Sequence, residues 1–419
     1  MVGSAILALQ GIADVKGAGD SKISLILEAS IFEDGFSVGH IDANVLEAIG
    51  GDDYEQLESA GTIDAQVRLV PPEMFAFTLA YFTGSKEHNI AMRQRAIDRG
   101  LRLNEFGLIP EAKAGELKGI EAAQYSLSAM TEQEIYTHLD LQWVPPELRE
   151  DTGEIESGSE RNLPTLLELD SIQGALHNHT VVSDGEATLE QMADAAQALG
   201  WSWLGIADHS PTLKIANGAP ADRLLEQGQK IRKYNQNWQD EGVDFRLFHG
   251  VESDILAGGK LDHPDDVLSE LDYVVASVHA MTKWRGRDEG ENTEELLKVL
   301  EHPATKVLGH PTGRILQGRE GYEVDVHRLI DAMAEHIEDG RFKSIELNAS
   351  PYRLDIDYRL CKYAKLMGVP VAISPDAHSI RGLADIQYGV MTARKGWLEN
   401  GDVINSMSAE SLAQQLSRH

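Results

Sequence analysis

From residue 163 onward, short apolar runs alternate with stretches of helical period. The runs at 174–177, 203–207, 245–250, 273–278, 306–309, 344–348 and 369–374 read as seven strands. The stretch after the first run begins at Thr188, an N-cap with Gln191 three residues on. It continues with the apolar set Leu189, Met192, Ala193 and Ala196 and stops at Gly200. This strand–helix rhythm over about 250 residues predicts an α/β fold, a distorted seven-stranded (βα) barrel, for 163–419.

The first part of the chain has a different pattern. A strand at 66–70 runs into Pro71-Pro72, and helices follow over 73–81, 86–99 and 132–139. The second of these has only a partial apolar stripe (Ile90, Ala91, Ala96, Ile97) before Gly100, and the third starts at Thr131 with Glu134 three residues on. Pro145-Pro146 and the polar run 149–161 read as a linker. Residues 1–61 are interrupted by Gly11, Gly17 and Gly19. They offer a short strand at 25–27 and an acidic stretch at 33–54 without period, as in a loosely specified small domain or its remnant. The expected divisions are 1–61, an α+β arm over 62–145, a linker over 146–162 and the barrel over 163–419.

Composition narrows the chemistry. The chain has 419 residues, 42% hydrophobic and 25% charged, which suits two or three soluble domains. No apolar run reaches membrane-span length and no signal-peptide pattern opens the chain, so a cytoplasmic protein is expected. Cys361 is the single cysteine, which excludes an intrachain disulfide and a cysteine-based zinc site; fifteen histidines remain for a metal. A net charge of −31 argues for an acidic, soluble surface or against a nucleic-acid substrate. The first reading is preferred, because bound divalent cations would reverse the local field.

Polar residues of metal-binding type stand at the end of one strand after another. His177 and His179 share a face by strand alternation, and Asp184 follows before a Gly turn. Asp208 and His209 end the second strand, Glu252 lies in the third, His279 ends the fourth, His310 the fifth, and Asp376 and His378 the seventh. In a parallel barrel these ends share one rim, where active sites form. Singly, each has a structural explanation as a core histidine or a helix cap. Jointly, six histidines with three carboxylates suit two or three divalent ions, Zn, Mn or Fe, with one bridging carboxylate. His249 reads as structural. Arg314 and Arg353 read as phosphate clamps, and Asp208 as an orienting residue or a cap.

These motifs resemble those of the PHP (polymerase and histidinol phosphatase) family over about 163–398. They are His-x-His with Ser-Asp-Gly, Ala-Asp-His-Ser, Val-Glu-Ser-Asp, Ser-Val-His, Gly-His-Pro-Thr-Gly-Arg and Pro-Asp-Ala-His. The form found in bacterial family X DNA polymerases is the nearest, through 348–357 and 388–398. The resemblance implies a trinuclear centre. One ion would take His177, His179, Glu252 and Asp376; a second would share Glu252 and add His279 and His310; a third would take Asp184, His209 and His378. Catalytic work would fall to Glu252, Asp376, His279 and Arg314.

Residues 70–108 and 143–156, including the run Tyr81–Ser85, resemble the palm end and thumb of the same polymerases. That family needs three palm aspartates to hold its metals. No Gly-Asp-x-Asp motif precedes this segment, and Gln66 stands at the third aspartate position, with Asp64 two residues away. A neutral amide does not replace a carboxylate in a two-metal site, so an inactive, truncated polymerase half is expected. The expected activity is metal-dependent phosphoester hydrolysis on DNA, as a 3′–5′ exonuclease at single-stranded or gapped 3′ ends. The alternatives are a small-molecule phosphatase of the histidinol-phosphate type and a non-catalytic repair scaffold. Oligomeric state is left open.

Overall fold

Apolar runs buried on both faces form a parallel sheet only where helices cover it, and the structure, a computed structural model, is built that way in its larger part. It describes residues 14–15, 22–28, 37–41, 64–114 and 120–418. Contacts divide the chain into two units, Met1–Leu163 and Pro164–His419. No helix among the described residues is long and apolar enough to cross a membrane.

In the first unit, β1 (Asp14–Val15), β2 (Lys22–Glu28), β3 (Ser37–Ile41) and β4 (Asp64–Val70) form one sheet in the order β1-β2-β4-β3. β2 and β4 are parallel, and the outer strands are antiparallel to their neighbours. Most of 1–61, where a remnant domain was expected, lies outside the described residues. Pro72, at the first position of helix Pro72–Phe82, lacks only an N–H that the helix would leave unpaired. Ser85 caps helix Lys86–Ile97 by accepting from His88 N at 3.0 Å. That helix buries His88, Met92 and Ala96 and leaves Ile90 and Ile97 exposed, so the expected stripe was only partly the packed face. A hairpin of β5 (Leu101–Asn104) and β6 (Gly107–Pro110) follows, then helix Glu132–His138.

The linker expected at 146–162 is instead packed structure. A 3₁₀ turn Pro146–Leu148 and a helix Glu154–Glu160 occupy it. Two of its charged residues, Arg149 and Glu154, face inward because each finds a partner, while most of the other polar side chains stay exposed. Arg149 is fully buried and bidentate to Glu132 at 2.6 and 3.0 Å. Buried Glu154 accepts from Asp151 N, Thr152 N and His88 Nδ1. A charge run was taken for a solvated connection, whereas paired charges can be interior.

The second unit holds a parallel sheet in the order β13-β12-β11-β10-β8-β7. Its strands are β7 (Trp203–Ile206), β8 (Arg246–Leu256), β10 (Tyr273–Ser277), β11 (Thr305–Leu308), β12 (Ser344–Asn348) and β13 (Val371–Ser374); the short β9 (Lys260–Leu261) pairs antiparallel with β8. Every residue of β7, β10, β11, β12 and β13 is buried.

The run expected as the first strand, 174–177, does not form a regular ladder. It joins both sheet edges by single bonds: Gly205 N and Ala207 N donate to Ala175 O and Asn178 O on one side, and His179 N donates to Ala377 O on the other. Asn405, from the C-terminal segment, fills the gap. Its Nδ2 donates to Gly174 O and Ile373 O, each at 2.7 Å, and its Oδ1 accepts from Ile373 N at 2.7 Å. The sheet therefore curls into a half-barrel that this seventh stave bridges. The barrel interior is filled by Leu176, Trp203, Phe248, Tyr273 and Val307, and capped by Leu412 and Leu416 of the last helix. Glycine is required beside Tyr273, since a Cβ on Gly250 would lie 2.4 Å from its ring.

Candidate metal centre

The strand ends of the second unit deliver their polar side chains to one rim. From the seventh stave come His177 and His179, both fully buried, and the loop beyond brings in Asp184. Asp208 holds that loop, accepting from Thr180 N, Thr180 Oγ1, Ser183 N, Ser183 Oγ and Gln227 Nε2 at 2.6–3.1 Å. It is a loop anchor rather than a helix cap. Glu252, only 1% exposed, projects from β8. His279 and His310 follow β10 and β11, and Asp376 and His378 follow β13. His310 and Asp376 have φ of 23° and 53°, a backbone region that costs a non-glycine residue about 1–3 kcal/mol. Strain at two residues facing one point marks a site that the surrounding fold imposes.

By distance the nine residues form three groups that are linked, since His209 Nδ1 of the third stands 2.8 Å from Glu252 Oε2 of the first two. Glu252 Oε2 is 3.2 Å from His177 Nε2 and 3.7 Å from His179 Nε2; Asp376 Oδ1 is 3.6 and 3.0 Å from the same two atoms. Glu252 Oε1 is 3.2 Å from His279 Nε2 and 3.0 Å from His310 Nε2. Asp184 Oδ1 is 3.6 Å from His209 Nε2 and 3.4 Å from His378 Nε2. Ligand bonds of about 2.1 Å in a tetrahedral shell place neighbouring ligand atoms about 3.4 Å apart, which matches these separations. Three sets of side chains bring their ligand atoms close enough to share an ion, His179–Asp184–His209–His378, His177–His179–Glu252 and His209–Glu252–His279; His310 and Asp376 fall outside these sets.

Hydrogen bonding gives a second test. Buried His177 Nε2 and Glu252 Oε2 are close, yet neither has a hydrogen-bond partner. An orphaned donor or acceptor costs about 1–3 kcal/mol, so lone pairs that converge without pairing fit a cation. On three of the six histidines the opposite ring nitrogen is occupied, while Nδ1 of His179, His209 and His310 has no hydrogen-bond partner. His177 Nδ1 donates to Glu346 Oε1 at 2.6 Å, His279 Nδ1 to Asp254 Oδ1 at 3.1 Å and His378 Nδ1 to Asp376 O at 2.9 Å. Once the ring gives up its second proton, these bonds leave Nε2 of His177, His279 and His378 as a lone pair aimed inward.

Electrostatics points the same way. Burial opposes charge on His177, but the carboxylates of Glu252, Glu346 and Asp376 outweigh it and hold the imidazole well above its usual value. Burial likewise disfavours charge on His279 and His378, yet Glu252 with Asp254 raises the first to about 10, and Asp184 with Asp376 raises the second to about 9. Burial and then the charge of His209 push His179 down to about 4. Burial alone would raise Glu252 and Asp376; the surrounding imidazoles instead hold both well below the usual carboxylate range. Protons thus sit where cations would, and metal binding would expel them.

Three residues missed in the sequence support the ligands. Glu346, fully buried, accepts from His177 and from His310 N at 2.6 Å, Asp254 holds His279, and Asn348 Nδ2 donates to Asp376 Oδ2 at 3.0 Å. A signal was present: Glu346 and Asn348 alternate with Ile345 and Leu347, as Glu252 and Asp254 do along β8, which puts each pair on one face. Arg314 donates from its guanidinium to Arg353 O at 3.1 Å and to Leu354 O, so two of its nitrogens hold the loop. Arg353 itself faces the centre, with Nε 3.8 Å from Asp376 Oδ2. His249 lies apart, packed where a Cβ on Gly228 would stand 2.5 Å from its ring.

The DNA polymerase beta thumb family matches residues 78–150, and the PHP domain family matches residues 175–350. The chain is 36% identical over 414 residues to the "DNA polymerase/3′-5′ exonuclease PolX" of Bacillus subtilis, covering 99% of this chain and 63% of that one. It is 31% identical over 211 residues to a "probable phosphatase" of Caldanaerobacter subterraneus, covering 48% of this chain and 74% of that one. Among solved structures it resembles the histidinol phosphate phosphatase of Lactococcus lactis, determined with zinc, L-histidinol and phosphate. That match has 17% identity, a TM-score of 0.39 and coverage of 59% and 94% of the two chains. The chain therefore belongs to the PHP family of phosphoesterases, with a DNA polymerase beta thumb domain preceding its PHP domain.

Proposed function

We propose that the chain is a metal-dependent phosphodiesterase acting on DNA 3′ ends as a 3′–5′ exonuclease, and that it performs no template-directed synthesis. The observation that carries the reading is the convergence of six imidazoles and three carboxylates on one rim, with buried lone pairs left unpaired. The name of the Bacillus relative and the thumb match support DNA as substrate. The ions, two or three of Zn, Mn or Fe, would be held by His177, His179, Glu252 and Asp376; by Glu252, His279 and His310; and by Asp184, His209 and His378. Bound there, they supply charge neutralisation and a hydroxide near neutral pH. The chain's own residues do the rest. Glu346, Asp254 and Asn348 fix the ligands, and Arg353 offers its guanidinium to the non-bridging oxygens, where charge accumulates. Arg314 keeps the Arg353 loop in place.

The test is digestion of 3′-labelled single strands with Mn²⁺ or Zn²⁺. His177→Ala and Asp376→Ala should each abolish it; digestion that survives both places the activity elsewhere. Primer extension by this chain would overturn the reading of Gln66. A second reading, a small-molecule phosphatase, is favoured by the net charge of −31 and by the phosphatase relatives. Rates on nucleotide monoesters against oligonucleotides separate the two.

A further inference from the structure

The metal rim carries two arginines that the proposed centre does not use, Arg285 and Arg319, beside Arg353, which it does. Arg285, Arg319 and Arg353 come from three successive loops, those after β10, β11 and β12. The loops are stitched together. Leu316 N donates to Tyr352 O at 2.7 Å, Arg314 donates to Arg353 O, and the rings of Trp284 and Tyr322 pack with centroids 5.2 Å apart. Arg319 Nη2 donates to Gly313 O at 3.1 Å, while its Nε is buried and has no hydrogen-bond partner. Burial, then the like charges of Arg353 and Arg285, draw Arg319 below its ordinary value, and no carboxylate contributes. Among the described residues, Arg285 and Arg319 are in no ion pair, and Arg353 approaches only Asp376 of the metal centre.

In a chain of net charge −31, Arg285 and Arg319 stand on stitched loops with no acid among the described residues paired to either, a local positive charge suited to an external anion. The planar donors of arginine suit phosphate oxygens. We propose that Arg285 and Arg319 form a second phosphate subsite beside the metal centre, with Arg353 between the two. The inference rests on the phosphoesterase reading and deepens it: the preferred ligand carries two phosphates on one nucleoside unit, as the nucleoside before a strand's 3′-terminal residue does and a simple monoester does not.

The experiment is isothermal titration of the full chain, in Mn²⁺, with thymidine 3′,5′-bisphosphate and with thymidine 5′-monophosphate. The wild type should bind the bisphosphate about 10- to 100-fold more tightly, the advantage expected from one or two charge-assisted hydrogen bonds. In the Arg285→Gln/Arg319→Gln variant that advantage should vanish while monophosphate binding is unchanged. Arg319→Lys, which keeps the charge, should retain most of it. Equal affinities in the wild type, failure of both nucleotides to bind, or an advantage that survives the double variant would each overturn the subsite. A chain that prefers the bisphosphate yet cleaves no phosphodiester would instead sink the exonuclease reading and leave the subsite standing.

Discussion

Glu346→Gln isolates the part the protein plays in holding its metals. The carboxylate is fully buried and accepts two short bonds, from His177 Nδ1 and from His310 N, each at 2.6 Å. Both donors belong to proposed ligands. A glutamine keeps the shape and loses the charge. Its single carbonyl oxygen satisfies one donor, and its NH₂ must face the other, leaving an N–H opposed to an N–H. An unsatisfied buried donor costs about 1–3 kcal/mol. Taking about 2 kcal/mol at His177, the Nε2 ligand weakens ~30-fold, within the 10- to 100-fold range for lost outer partners of metal-binding histidines. The assay is metal content by mass spectrometry after dialysis against graded chelator, beside phosphodiesterase rate at saturating metal. The ion held by His177 and His179 should be lost first, and excess metal should restore activity. Unchanged metal retention at every position would refute the argument that Glu346 acts through the ligands. So would lost activity that excess metal does not recover.

Three further outcomes follow from the same geometry. Asp184→Ala should empty the position shared with His209 and His378 and leave the other two filled, read as bound metal per chain; loss of all the metal would contradict the separable groups. Asp208→Ala removes an acceptor of five bonds from loop and helix donors; it should weaken the Asp184 position about 10-fold or more without touching the His279–His310 pair. Lys343, packed at 1% exposure, is pushed down from 10.5 to about 7 by burial and then by the charges of Lys306 and Arg341. Its unfolded form binds more protons between those values, so stability rises with pH across about 7 to 10.5 and the penalty is complete below. The penalty is at most about 5 kcal/mol. Urea midpoints should climb from pH 7 to pH 10 in the wild type and stay flatter in Lys343→Met; parallel slopes would refute this.

The parts that were legible share a cause. A histidine or carboxylate at the end of an apolar run is visible because the run itself is, and parallel strands bring their ends together whatever their separation in sequence. Thr188 was readable as a cap, and the structure shows the full capping box with Gln191. Glu346 and Asp254 were harder to see because they sit inside buried strands, where only alternation marks them. The loop-holding bonds of Arg314 were not legible because its partners are backbone carbonyls, which no side-chain pattern announces. The 149–161 run was misread for a related reason: its charges are paired across distances of 17 and 66 residues. The first stave shows the limit most clearly. Its alternation is that of a strand, yet its bonding is completed by Asn405, whose role depends on where the C-terminal segment passes.

That last bond sets an order of assembly. His179 and Ala377 meet across the seam between the first and last staves, and Asn405 locks it from 231 residues beyond Gly174. Domains take shape as the chain emerges, N-terminal parts first, and contacts of such span form late because their loops are the most costly to close. A nascent PHP domain would therefore carry its His-x-His pair long before the carboxylate and histidine that face it. The rim cannot gather its ligands until the final stave and Asn405 have been synthesised. A centre built this way is complete only once its last stave, with Asp376 and His378, has met the first.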